Sequence, residues 1–154
     1  ASRHTEQVLL EVIGSATSKL FIVSFVAYDI DSVKMALLDA IDRDVKINIL
    51  LESSKTYGGK IDVDSIDSFK KAIPSANVYA WNSESKASEL WSGAVHAKCG
   101  VADGSLAFIT SANLTRAAME NNMELGVLVR GGNLPEKLER HLVALITTGV
   151  IEKI

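Results

Sequence analysis

The stretch VHAKCGVADGSLAFITSANLT, residues 95–115, carries polar side chains in a two-residue rhythm inside an otherwise apolar run. His96 and Lys98 stand two apart, Ser111 and Asn113 stand two apart, and Asp103-Gly104 lies between the pairs. Alternate side chains of a β-strand share one face, so this spacing aims each pair to one side. Asp103-Gly104 is the dipeptide favoured in a two-residue type I′ hairpin turn. Closed that way, the hairpin pairs Ala102 with Ser105. It then sets His96 across from Ser111 and Lys98 across from Ile109, with Asn113 on the same face. A slip of two in the pairing keeps the polar set together, whereas a three-residue loop splits it between faces. Asp103 and Gly104, at the turn, read as structural.

A third segment repeats the pattern. In NNMELGVLV (121–129), Asn122 and Glu124 share one face while Met123, Leu125 and Val127 occupy the other. The polar face thus gathers an imidazole, an ammonium, a hydroxyl, two amides and a carboxylate. Taken singly, His96 reads as a hydrogen-bonded core histidine, Lys98 as a snorkelling edge residue, and Ser111 or Asn113 as turn residues. Together they are costly to bury unless they satisfy one another or serve a ligand.

Outward from this hairpin the chain alternates helices and strands. Residues 5–14 have helical apolar spacing and stop at Gly14. KLFIVSFVAY (19–28) reads as a strand buried on both faces, Asp31-Ser32 as the cap of a helix over 33–43, and VKINILLE (45–52) as a second buried strand. SSKTYGGKID (53–62) is a loop by composition. A helix over 64–73, stopped by Pro74, leads to a short strand at 77–81. Residues 82–94 form a polar loop, followed by strands at 95–102, 105–111 and 123–130. Gly131-Gly132 then opens a last helix over 135–148. The fold class is α/β, a mixed β-sheet with helices on both faces. Residues 1–154 read as a single domain, which could itself be part of a longer protein.

Composition narrows the chemistry. The 154 residues are 47% hydrophobic and 23% charged, enough for one real core. A net charge of −3 gives no general basic surface for nucleic acid, although a local basic cleft fits these totals. The lone Cys99 excludes an internal disulfide and a Cys-rich zinc site, and His4, His96 and His141 lack metal-ligand spacing. Chemistry with no cofactor and no metal is the expectation. No run approaches the ~20 apolar residues of a membrane span, and no signal peptide is visible. The expected compartment is the cytoplasm, or the periplasm or exterior if an N-terminal signal has been trimmed.

These residues resemble the phospholipase D superfamily, whose pattern is HxK, four residues, D, six residues, then GSxN. Here His96-Ala97-Lys98 leads through four residues to Asp103 and through six more to Thr110-Ser111-Ala112-Asn113. Thr110 replaces the first glycine, a departure that touches backbone geometry. The downstream asparagine and acidic residue of the family fit Asn122 and Glu124.

The resemblance implies a phospholipase D-like fold and a metal-independent phosphodiesterase working through a covalent phosphohistidine. His96 would attack phosphorus, Glu124 would fix its tautomer, and Lys98, Ser111 and Asn113 would hold the non-bridging oxygens. With one motif per chain, it implies a homodimer whose motifs face each other. Phosphate or sulfate would bind between the paired histidines and lysines and stabilise the dimer.

The short single-motif chain looks most like the bacterial nuclease branch, which includes small proteins of phage-defence loci such as DISARM. The expected substrate is DNA or RNA, and no stable membrane insertion is expected. The alternatives are a phospholipase or other phosphodiesterase, and a catalytically silent nucleic-acid-binding module of a larger protein. Lys55, Tyr57 and Lys60 around Gly58-Gly59, together with Trp91 and Arg116, are the candidate substrate contacts. Each also reads as an ordinary surface or packing residue.

Overall fold

In a computed structural model of the chain, the described residues are 4–24, 30–51, 63–82, 95–113, 119 and 121–154. Their seven strands form one sheet in the order β6-β5-β4-β1-β2-β3-β7. The strands are β1 (Lys19–Ser24), β2 (Lys46–Leu51), β3 (Asn77–Trp81), β4 (Cys99–Ala102), β5 (Leu106–Thr110), β6 (Gly126–Arg130) and β7 (Ile151–Lys153). Strands β1, β2 and β3 run parallel, while β4, β5, β6 and β7 pair antiparallel with their neighbours. The mixed α/β reading therefore holds.

Both faces of the sheet are covered. On one side Leu20, Ile22, Ile47, Ile49, Ala102, Leu106 and Phe108 pack with Val12 and Ile13 of α1 (Thr5–Ser15), Leu37 of α2 (Asp31–Asp42) and Phe69 of α3 (Val63–Ala72). On the other, Phe21, Val23, Leu50, Val101 and Ala107 pack against Leu142 of α4 (Asn133–Thr147). This two-sided burial explains why 20–23 and 49–51 read as continuous apolar runs and not as alternating ones. Each fully buried Leu, Ile or Phe contributes on the order of 1.5–3 kcal/mol. Among the described residues no helix is long and apolar enough to cross a membrane.

The structure corrects several expectations. Gly14 lies inside α1, which ends at Ser15 with Ala16 extended; the carbonyls there are capped instead by Arg43, whose Nη2 donates to the Ile13, Gly14 and Ala16 oxygens. Asp31 and Ser32 are inside α2, whose N-cap is Ile30, and the Ser32 hydroxyl donates to Glu6 Oε1 of α1 at 2.5 Å. The strand expected over 95–102 begins only at Cys99, and β7 was not foreseen.

The largest correction concerns the β4–β5 register. Ala102 pairs with Leu106 and Cys99 with Ile109, one residue later than expected. Asp103 (φ 55°) and Gly104 (φ 62°) do adopt the left-handed conformations of a type I′ turn, and the Ser105 amide donates to the Ala102 oxygen at 3.0 Å. Ser105 is then an extra third loop residue, because Gly131 N–H claims its carbonyl at 2.7 Å and leaves it out of the ladder. Continued regularly, this register would put Lys98 and Ser111 on opposite faces. Beyond the bond from the Thr110 amide to the Lys98 oxygen the ladder stops: residues 95–98 are not in a strand and Ser111 stands in a bend.

Asp103 knits this turn to the start of β1. Its Oδ2 accepts from the Thr17 amide and hydroxyl, and its Oδ1 from the Ser18 amide and hydroxyl and the Lys19 amide, at 2.9–3.1 Å. Lys19 in turn pairs with the buried Glu139 of α4 at 2.7 Å, against which Gly104 also sits. Burial alone would raise the Asp103 carboxyl. The amides of Lys19, Thr17 and Ser18 with the Ser18 hydroxyl outweigh that and hold it at about 2, below the ordinary 3.8.

A folded-state value below the unfolded one means the stabilisation is complete above about pH 4 and drains away as pH falls through 2. Asp103→Asn, which tolerates the left-handed backbone, should cost about 1–2 kcal/mol at pH 7 in urea unfolding. It should also flatten the loss of stability between pH 4 and pH 2.

Candidate functional site

Strand direction gathers the polar residues. Cys99, the first residue of β4, pairs with Val23 near the carboxyl end of β1, so residues 95–98 enter the sheet at that end. The last residue of β5, Thr110, donates its amide to the Lys98 oxygen at 3.1 Å and pairs with Gly126, the first residue of β6. His96 and Lys98 before β4, Ser111 and Asn113 after β5, and Asn122 and Glu124 before β6 therefore share one end of the sheet. Asp103 and Gly104 lie at the other end, beyond Ala102.

Two of these segments are joined directly. Ser111 Oγ donates to Glu124 Oε2 at 2.5 Å and accepts from the Leu125 amide at 3.1 Å, while Asn122 Nδ2 reaches Glu124 Oε1 at 3.3 Å. The Ser111 amide donates back to the Leu125 oxygen at 2.9 Å. Both carboxylate oxygens of Glu124 are thus fixed by neighbours. Lys98 Nζ folds onto the carbonyl of His96 at 3.0 Å, and the His96 side chain is exposed.

The Asn113 amide oxygen is buried and has no hydrogen-bond partner among the described residues. Such an orphan costs on the order of 1–3 kcal/mol, so a partner for this amide is to be sought outside them.

Thr110 stands at the junction. Its hydroxyl accepts from the Ala112 amide at 3.0 Å and donates to the Leu125 oxygen at 3.3 Å. The first bond makes a side-chain turn that ends the strand alternation. Thr110 also faces a small pocket lined by Thr5, Leu9, Ile22, Cys99, Phe108 and Met119 among others. Burial pushes the Cys99 thiol up to about 11, so it packs as an apolar group.

Lys55, Tyr57, Lys60, Trp91 and Arg116 lie outside the described residues. Sequence reasoning missed the hydroxyl of Thr110, treating that position as backbone only. The available signal was a threonine two residues before an amide that must leave a strand. It also left the exposure of the apolar alternates unread: Met123 is 100% exposed, Leu125 79% and Val127 56%, beside Ile109 at 39%.

Residues 9–146 match the family described as "Cardiolipin synthase, PLD-like domain". The chain is 27% identical over 154 residues to the DISARM protein DrmC of Bacillus paralicheniformis, covering 99% of this chain but 60% of that relative. It therefore spans about 60% of the length of the curated relative it matches.

Among solved structures, Nuc of Salmonella typhimurium, a phospholipase D family member, is similar with TM-score 0.74 and 17% identity over 97% of this chain and 90% of that one. NucT from Helicobacter pylori gives 0.76 and 17% over the same shares. TrmBL2, an archaeal chromatin protein whose structure shows a novel mode of DNA binding, gives 0.59 and 16% over 99% of this chain and 53% of its own.

The tight crossing of β5 and β6 yields a test. A Cβ at Gly126 would lie 2.7 Å from the Phe108 ring, 2.9 Å from the Ile109 oxygen and 3.0 Å from the Thr110 Cβ. Gly126→Ala should therefore lower stability by about 1–3 kcal/mol in chemical denaturation, whereas Gly14→Ala, which meets nothing within 4 Å, should not.

Proposed function

The chain belongs to the phospholipase D-like family, a family of phosphodiesterases, and from that premise we propose that it is a metal-independent nuclease. It acts as a homodimer with one HxK…SxN motif per subunit and cleaves DNA or RNA phosphodiesters. The observation that carries this reading is the convergence of His96, Lys98, Ser111, Asn113 and Glu124 at one end of the sheet.

A ring nitrogen of His96 attacks phosphorus, and the P–O bond to the leaving group breaks as a second histidine protonates that oxygen. Water, deprotonated by the same second histidine, then attacks the phosphohistidine, releasing a phosphomonoester and restoring His96. The Lys98 ammonium and the Asn113 amide stabilise the non-bridging oxygens in the transition state. Ser111 and Asn122 hold Glu124 in place, and Glu124 orients the imidazole.

The second histidine comes from the partner subunit. The exposed apolar residues Met123 and Leu125 before β6, Val127 on that edge strand and Ile109 paired with it support a second copy, since they are surface that it would cover. Similarity to DrmC supports a role in phage defence as part of a longer protein. Similarity to a DNA-binding chromatin protein favours a second reading, a module that binds DNA without turnover.

Purified chain should be incubated in EDTA with duplex DNA, single-stranded DNA, RNA, phosphatidylcholine vesicles and bis(p-nitrophenyl) phosphate, its mass in solution being measured in parallel. Cleavage of nucleic acid by a dimer is expected, with His96→Ala reducing it on the order of a thousandfold or more. Binding without cleavage would establish the DNA-binding module. Activity on the vesicles alone would make the protein a phospholipase, and cleavage that vanishes in EDTA would overturn the metal-free route.

A further inference from the structure

We infer that Thr110 is a positioning residue that sets the catalytic geometry, taking over through its hydroxyl a place where the related motif has glycine. The inference rests on the phosphodiesterase reading and deepens it.

Thr110 is tied to all three segments of the site. Its amide donates to the carbonyl of Lys98. Its hydroxyl accepts from the amide of Ala112, the residue between Ser111 and Asn113. The same hydroxyl donates to the carbonyl of Leu125, the neighbour of Glu124. One donor and one acceptor are all a hydroxyl needs here, and both are used.

The register makes this junction necessary. Because Ser105 shifts the β4–β5 ladder by one residue, a strand continued past Thr110 would carry Ser111 and Asn113 away from the face of Lys98. The turn closed by the Thr110 hydroxyl at Ala112 is what interrupts that alternation. A glycine at 110 would supply neither the hydroxyl nor the restricted backbone, leaving the amide of Ala112 without this acceptor. The opposing strand is shaped to match: Gly126 pairs with Thr110, and a Cβ there would come within 3.0 Å of the threonine Cβ. The side-chain bulk sits on 110 and its absence on 126.

Valine and serine separate the hydroxyl from the packing. Thr110→Val keeps shape and branching but removes both hydrogen bonds; Thr110→Ser keeps the hydroxyl. With bis(p-nitrophenyl) phosphate or a cleaved oligonucleotide, Thr110→Val should lower kcat about 10- to 100-fold with KM changed less than about threefold. Thr110→Ser should stay within about threefold of wild type in kcat. In amide hydrogen exchange, protection of the Ala112 N–H should fall about tenfold or more in the valine variant and persist in the serine one.

A valine variant with wild-type kcat overturns the inference. Equal loss in both variants does so too, since it assigns the effect to packing. If the wild type turns over no phosphodiester, the same comparison is made on affinity for inorganic phosphate. Weakening by valine alone then upholds the positioning role while the enzymatic reading fails, and equal affinities or no phosphate binding overturn it.

Discussion

The backbone pairing of Val23 with Cys99 sets the direction of everything polar in this molecule. It makes β4 run against β1, so the segment before β4 arrives where β1 ends. The antiparallel pairings of β5 and β6 then return two more segment ends to the same edge. Three short stretches separated in sequence thus come to the same end of the sheet. The central strands β1 and β4 beneath are buried on both faces, whereas β6 is largely exposed.

Placing polar groups beyond the ends of the strands also resolves an energetic conflict. Within β4 the burial is complete, and an ammonium or carboxylate there would have to be desolvated without compensation. At the strand ends, where the backbone leaves the ladder, side chains keep access to solvent. Glu124 shows the arrangement, with its carboxylate oxygens engaged by Ser111 and Asn122. Asp103 shows the opposite use of a carboxylate. It belongs to the same sequence motif but sits at the far end of the sheet, where it accepts from the segment that starts β1. One motif therefore divides between the two ends of the sheet, with Asp103 at the anchoring end.

Legibility in the sequence followed physical range. Buried parallel strands such as 46–51 announce themselves because two-sided burial favours the successive apolar residues seen at 49–51. The strand at 77–81 was bounded correctly because Pro74 and the polar residues after it punctuate it. The β4–β5 register was not readable, since Asp103-Gly104 fixes the turn conformation but not the fate of Ser105, which depends on Gly131 nearly thirty residues on. Likewise Gly14 looked like a helix stop, yet the closing interaction is Arg43 on a different helix. The short β7 depends on pairing with Trp81 and Tyr79 and carries little pattern of its own. Residue types and spacing marked the polar set at 96–124; the way Thr110 and Ser111 leave the ladder is a tertiary property.

A crystal structure grown with vanadate, a mimic of phosphorus in transfer, tests the central claim most directly. The account predicts one vanadate per dimer on a twofold axis. A His96 ring nitrogen should lie at bonding distance from vanadium, with Lys98 Nζ and the Asn113 amide donating to its equatorial oxygens. Vanadate bound away from these groups, or His96 and Asn113 pointing to opposite faces of the sheet, would contradict it.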